Sequence, residues 1–295
     1  MPARCRLPLL LLLTAVVLIC LSHQVVIPLV LPPSPLASPT APDVTASARP
    51  MEPTPMDAPA QPVVLTIVYD NHTQDARLRA AWGFACLVEA PSATVLFDTG
   101  GDGPTLLYNM ASLGIDPAAI EIVVLSHQHK DHTGGLEALL GTRPDLMVYV
   151  PRSFAAEIER QVGGRATVIA VSEAVELADG VWSLGEMGTA IVEQSLAVET
   201  RQGLAVITGC AHPGIFQIAQ AARGQGSIAL LLGGFHLSQT PLPQIDEIVS
   251  SLQALGVQQV GPAHCTGEPA IERLRQAFGD GFVEVGVGTQ IVLDR

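Results

Sequence analysis

Three rhythms of apolar and polar residues follow one another along the 295-residue chain. Leu7 to Leu21 is almost unbroken apolar sequence, with Arg4 and Arg6 ahead of it. Such a run reads as the hydrophobic region of a secretory signal or as a membrane anchor. Adding Val25 to Leu31 makes it long enough to span a bilayer, with Pro28 as an interruption. The leading arginines orient the N-terminus inside and the rest outside. Pro28 to Pro62 then holds eleven prolines among Ser, Thr and Ala. That composition builds no core and gives a stiff, extended spacer. The expected organisation is a signal peptide or anchor over 1–31, a Pro-rich linker over 32–62 and one domain over 63–295.

From residue 63 onward, strand and helix patterns alternate. Strands are predicted over Val63–Tyr69, Phe84–Glu89, Thr94–Phe97, Ile120–Ser126, Met147–Val150 and Thr167–Val171. Helices are predicted over Thr105–Leu113, Leu136–Leu140 and Ser153–Val162, each bounded by Gly, Pro or an Asp cap. Residues 175–208 are β-rich. Three strand-then-helix units close the chain. They pair Leu204–Thr208 with Ile215–Ala222, Ile228–Leu232 with Ile245–Leu255, and Gln259–Val260 with Glu268–Ala277. This is an α/β pattern, and in all three units the turn after the strand carries a histidine: His212, His236 and His264. Ends of neighbouring strands lie on one edge, so these histidines can meet there.

A fourth strand end is richer still. His127-Gln-His129-Lys-Asp131-His132 puts four metal-binding side chains within six residues, directly after the apolar Ile122–Leu125. The i, i+2 spacing lets His127 and His129 converge on one ion, while Asp131 and His132 can turn to a second beside it. Mixed nitrogen and oxygen ligation suits zinc, iron or manganese better than calcium or magnesium.

This cluster resembles the His-x-His-x-Asp-His signature of the metallo-β-lactamase superfamily, and the likeness extends over roughly residues 63–293. The resemblance implies a four-layer αββα sandwich with one or two metal ions at one edge. It implies that Asp98, in Val95-Leu96-Phe97-Asp98-Thr99-Gly100, fixes the histidine loop by hydrogen bonding, and that His264 is the final metal ligand. Here the chain departs from the family pattern, because no histidine occurs between residues 133 and 211. One register puts Cys210 at the bridging position with His212 nearby. Another makes His212 the middle histidine and gives the bridging position to His236. We take His212 as a ligand, His236 as a substrate-facing acid and Cys210 as a supporting group. Thr208–Ile215, Gly233–Leu237 and Pro262–Gly267 further resemble the branch named after dihydropterin–ribofuranosylaminobenzene phosphate synthase.

The expected ligand set is therefore His127, His129, Asp131, His132, His212 and His264, with Asp131 and His236 acting in catalysis. The implied activity is hydrolysis of an ester, lactone, amide or phosphoester by a metal-bound hydroxide. A pterin-linked transferase and a non-catalytic metal-binding ectodomain are the alternatives. Net charge is −13, and Lys130 is the sole lysine. A nucleic-acid partner needs a basic track, so a small-molecule substrate is expected. Lys130 either faces solvent or binds an anion. Beyond the leader's Cys5 and Cys20, only Cys86, Cys210 and Cys265 remain. An odd, irregular set is no disulfide framework, although an exported domain could hold one bridge. Ile19 before Cys20 does not fit a lipoprotein site, so the expected state is a domain anchored outside the cytoplasmic membrane, or secreted.

Overall fold

Strands buried on both faces need cover on both sides, and the sequence supplies many of them. The computed structural model describes residues 61–143 and 145–295. The expected anchor and nearly all of the Pro-rich linker lie outside the described residues. Among the described residues, no helix is long and apolar enough to cross a membrane.

The first half runs β1 (Val63–Tyr69), β2 (Ala85–Ala90), β3 (Ala93–Phe97), α1 (Gly103–Leu113), β4 (Ile122–Val124), α2 (Lys130–Thr133), α3 (Leu136–Leu140), β5 (Met147–Pro151), α4 (Ala155–Val162) and β6 (Thr167–Val171). The second runs β7 (Val175–Ala178), β8 (Val181–Ser183), β9 (Leu196–Thr200), β10 (Gly203–Thr208), α5 (Ile215–Arg223), β11 (Ile228–Gly234), α6 (Leu242–Leu255), β12 (Gln259–Ala263), α7 (Glu268–Phe278) and β13 (Gln290–Leu293). One sheet has seven strands in the order β13-β1-β2-β3-β4-β5-β6, and the other has six in the order β12-β11-β10-β9-β8-β7.

Period-two alternation sorts side chains between layers. Val95 and Phe97 of β3 face the other sheet and share a core with Leu196, Val198, Ile207 and Leu232. Leu96, between them, turns outward to pack with Leu106, Met110, Leu139 and Ile158 of α1, α3 and α4. On the opposite side, Val206, Leu231 and Val260 pack with Ile218, Ile245, Leu252 and Leu274 of α5, α6 and α7. The result is the αββα sandwich, with helices outside and two sheets face to face. Each fully buried leucine or phenylalanine contributes about 1.5–3 kcal/mol to this packing.

Two features position the site. Strands β3, β4, β5 and β6 run parallel, as do β10, β11 and β12. The turns after β3, β4, β10, β11 and β12 open on the same edge of the sandwich, as the contacts among their side chains show. In addition, β4 is shorter than its apolar run predicts. Leu125 N still donates to Tyr149 O, but Ser126 N leaves the ladder to donate to the Asp98 carboxylate at 2.6 Å. The strand is cut there and the chain is handed to the histidine loop.

Candidate metal centre

The Asp98 carboxylate organises one side of the centre. It accepts from Ser126 N, from Ser126 Oγ at 2.7 Å and from His132 Nδ1 at 2.7 Å. Burial pushes this carboxyl up, against the pull of His132 and Ser126. His132 is also buried, which opposes its charge, yet Asp98 raises it. We place the shared proton on His132 Nδ1, because Asp98 already accepts two further hydrogen bonds as an anion. Since Ser126 Oγ–H donates to Asp98, the hydroxyl oxygen accepts from His127 Nδ1 at 2.8 Å. His127 is held far below its ordinary basicity, by burial first and by the neighbouring imidazoles second. It is therefore neutral, and its buried Nε2 has no hydrogen-bond partner.

The other side is organised by Glu193, which is fully buried. Its carboxylate accepts from the backbone N–H groups of Gly209, Cys210, Ala211 and His212 at 2.9–3.1 Å, and from His212 Nδ1 at 2.9 Å. Burial works against its charge, but the His212 ring and the backbone donors outweigh burial and lower its pKa. Gly209 is small for a reason: a Cβ there would stand 2.1 Å from Ser126 Oγ. His264 is fixed similarly. Its N–H donates to Asp70 at 2.9 Å, and its Nδ1 meets Asn71 Oδ1 at 3.1 Å. Asn71 Nδ2 in turn donates to His264 O at 2.8 Å.

Thus His127, His132, His212 and His264 each engage Nδ1 with a fixed partner, which directs Nε2 inward. His132 Nε2 and His264 Nε2 lie 3.2 Å apart, and Cys210 Sγ lies 3.2 Å from His132 Nε2. Asp131 Oδ2 stands 3.3 Å from His264 Nε2 and 3.8 Å from His132 Nε2. Burial opposes its ionisation, but His264 and His132 prevail and hold its carboxyl below the usual range. The His129 ring lies 4.6 Å from that of His127 and 4.9 Å from that of His212. Three sets of ligand atoms fall within 4.8 Å of one another: His127, Cys210 and His212; His132, Cys210 and His264; Cys210, His236 and Cys265.

All the sequence-predicted residues therefore gather at one edge. Cys210, taken as a supporting group with one register placing it at the bridging position, lies close to the imidazoles and belongs to all three sets. The route is local, because the Glu193 carboxylate holds the whole 209–212 turn and brings its sulfur inward. His236 is exposed, in ring contact with His212 at 4.6 Å. Sequence reasoning missed Ser126, Glu193, Asp70 and Asn71. The only signal for Glu193 was a polar Glu-Gln-Ser triplet directly before an apolar strand. The three remaining cysteines are free and buried. Among the described residues, four non-glycine residues have positive φ: Asp98, Ala211, His236 and His264, at 48–59°. Backbone strain of this kind, on the order of 1–3 kcal/mol per residue, concentrates where function requires a fixed geometry.

The family model for the metallo-β-lactamase superfamily matches residues 83–212, from ahead of Asp98 through His212. Residues 83–212 carry the likeness to the metallo-β-lactamase superfamily, and the two-sheet sandwich is consistent with that fold. It is 25% identical over 280 residues to the 7,8-dihydropterin-6-methyl-4-(β-D-ribofuranosyl)-aminobenzene-5′-phosphate synthase of Methanocaldococcus jannaschii, with 76% of this chain and 94% of that protein covered. Among solved structures of the superfamily, Tm1679, a metal-dependent hydrolase, is 28% identical, with 79% of this chain and 100% of that one covered at a TM-score of 0.69. The metallo-β-lactamase fold protein YhfI from Bacillus subtilis shares 14% identity, with 79% and 99% covered at a TM-score of 0.54, a likeness of fold alone.

Proposed function

We propose that the protein is a metal-dependent hydrolase with a centre for two transition-metal ions, zinc foremost, with iron and manganese compatible with the same donors. One observation carries this reading: buried imidazole nitrogens converge with a thiol and a carboxylate at the spacing of metal ligands. His127 Nε2 is buried without a partner, and His132 Nε2 faces His264 Nε2 at 3.2 Å while both Nδ1 atoms are already engaged. A cation held among these nitrogens, the Cys210 sulfur and the Asp131 carboxylate would satisfy them together. His127, His129, His212 and Cys210 would hold one ion, and Asp131, His132, His264 and Cys210 the other.

When bound, two such ions acidify a water and polarise the electrophilic oxygen of a substrate. The side chains do the rest. Asp98, Ser126, Glu193 and Asn71 keep the imidazoles in register. Asp131, lowered in pKa and half-buried, orients the attacking water as a hydrogen-bond acceptor. His236 faces a cavity of about 430 Å³ between α5 and α6, lined in part by Phe216, Phe235, Leu237, Gln217 and Gln244. There it would donate a proton to a leaving group, and the mixed apolar and amide lining would take a small organic substrate. An ester, lactone, amide or phosphoester fits this chemistry. The likeness to Tm1679 supports hydrolysis. The likeness to the archaeal synthase supports a second reading, a pterin-linked transfer at the same centre. A net charge of −13 supports a small molecule over a nucleic acid as partner.

Elemental analysis of the full chain, purified without chelator, should give one to two transition-metal ions per molecule. A screen over esters, lactones, phosphodiesters and β-lactams should then find turnover that chelation abolishes. Folded protein without metal would remove the hydrolase reading. A metal-loaded protein that is inert in the screen but joins a pterin substrate would favour the second.

We also propose that the domain lies outside the cytoplasmic membrane. The Leu7–Leu21 run, the arginines before it and the Pro-rich spacer support this. Ala46-Ser47-Ala48 lies far from the apolar run for a cleavage site, which favours the anchored form. Protease added to intact spheroplasts should digest the domain. Protection until lysis would place it in the cytoplasm and strengthen the biosynthetic transferase reading.

A further inference from the structure

The two ion positions leave two ligating side chains, Cys265 and His236, without an ion. Cys265 follows His264 at the end of β12, and His236 stands at the end of β11. Together with Cys210, their ligand atoms all lie within 4.8 Å of one another. Cys210 and Cys265 approach across an intervening strand, since β11 pairs with β10 on one side and β12 on the other. The approach depends on Gly234. A Cβ at that position would stand 2.8 Å from Cys265 Sγ and 3.3 Å from Cys210 Cα, so the missing side chain is the room in which the thiols meet. Cys265 Sγ reaches within 3.6 Å of Cys210 O. Both cysteines are free and buried, whereas His236 is exposed and lines the cavity between α5 and α6. The corner is therefore built of buried sulfur with an imidazole at its mouth.

We propose that Cys210, His236 and Cys265 form a third metal position, one selective for a thiophilic ion of the zinc, cadmium or copper(I) class. Two sulfurs and one imidazole are softer donors than the imidazoles and carboxylate of the main centre, and soft donors select soft ions. Metal–sulfur bonds of about 2.3 Å and metal–nitrogen bonds of about 2.0 Å place tetrahedral donors up to about 4 Å apart, within the span seen here. Three protein ligands would leave a fourth position of a tetrahedral ion for another donor. Because Cys210 is shared, an ion in this corner draws that sulfur away from the two main positions. His236 is withdrawn from the cavity at the same time. Binding at the corner stands on its own geometry, while this antagonism rests on the hydrolase reading.

Cadmium is a suitable probe, because its bonds to thiolate give an ultraviolet charge-transfer band. The full chain, stripped by chelator, would be titrated with cadmium while bound ions are counted by elemental analysis. The wild type should take up one more ion than Cys265→Ser, and the variant should lose part of the charge-transfer band. His236→Ala should weaken the same ion without loss of the others, and His127→Ala should retain it while the main centre loses an ion. If Cys265→Ser misfolds, Cys265→Ala carries the same comparison, since a small apolar side chain suits the buried site. Equal ion counts and equal bands in wild type and the Cys265 variant would overturn the proposal. Loss of all ions in His127→Ala alone would count against the independence of the corner, whereas retention of every ion there would count against the main centre instead.

Discussion

The two sheets contribute to the centre in different ways. The seven-stranded sheet offers its candidate metal-binding residues on one continuous loop, His127 to His132, after a single strand. The six-stranded sheet offers them one at a time, from the ends of β10, β11 and β12. A single loop is served by one support, and Asp98 provides it by holding Ser126 and His132. Separate strand ends need separate supports: Glu193 for the 209–212 turn, and Asp70 with Asn71 for His264. Dispersed ligating side chains therefore need more supporting residues, and those of His264 lie 194 and 193 positions away in the sequence.

Removing a ligand from either side should have the largest effect. His127→Ala and His264→Ala should each lower metal occupancy and abolish hydrolysis, as read by elemental analysis and turnover. Both leave the far side of the ligand sphere without its partner, so the two halves should fail alike. If one variant kept full occupancy, the centre would belong to a single sheet, and the comparison would break.

His236→Ala comes next. It should retain the metals of the main centre but slow turnover by roughly 10²-fold, the loss typical of a missing general acid. The readout is kcat against metal content. Loss of a main-centre ion would instead make His236 a ligand there and restore the alternative register.

The supports sharpen the comparison further. Asp98→Asn and Glu193→Gln should each reduce metal affinity by about 10–100-fold, measured by competition with a chelator. Asp98→Asn should affect His132, which bonds to it directly, and His127, which is linked to it through Ser126 Oγ. Glu193→Gln should act on Cys210 and His212 and, by loosening the turn, should lower thermal stability as well. Equal melting temperatures for Glu193→Gln and wild type would show that the turn holds itself.

What could be read in the sequence follows the same division. The histidine loop was legible because its side chains are adjacent and its strand is an unbroken apolar run. The meeting of His212, His236 and His264 was legible because parallel strands align their ends, and the strand–helix rhythm revealed three of them. Leu136–Leu140 and Thr167–Val171 match the pattern residue for residue. The first turn of α6 did not, because Pro241 and Pro243 flank an exposed Leu242 and interrupt the apolar period. Glu193 was illegible because residues 184–195 have no period, and its partners lie 16 to 19 positions away. The approach of Cys210 to the imidazoles depends on that carboxylate, so it could not be resolved from spacing alone.

The smallest effect is expected at Lys130. It lies inside the histidine loop, at the start of α2, yet its side chain points to solvent and is exposed. Its neighbours His129 and Asp131 face the centre, so a change here tests whether position in the motif alone confers a role. An exposed ammonium without a fixed partner contributes within about 0.5 kcal/mol, or about twofold in any equilibrium. Lys130→Ala should therefore leave metal content, melting temperature and the KM of a neutral ester within that margin. A KM that rose for an anionic substrate alone would reverse the conclusion: the sole lysine of the chain would then be the anion contact, and the exposed face of the loop would belong to the substrate site.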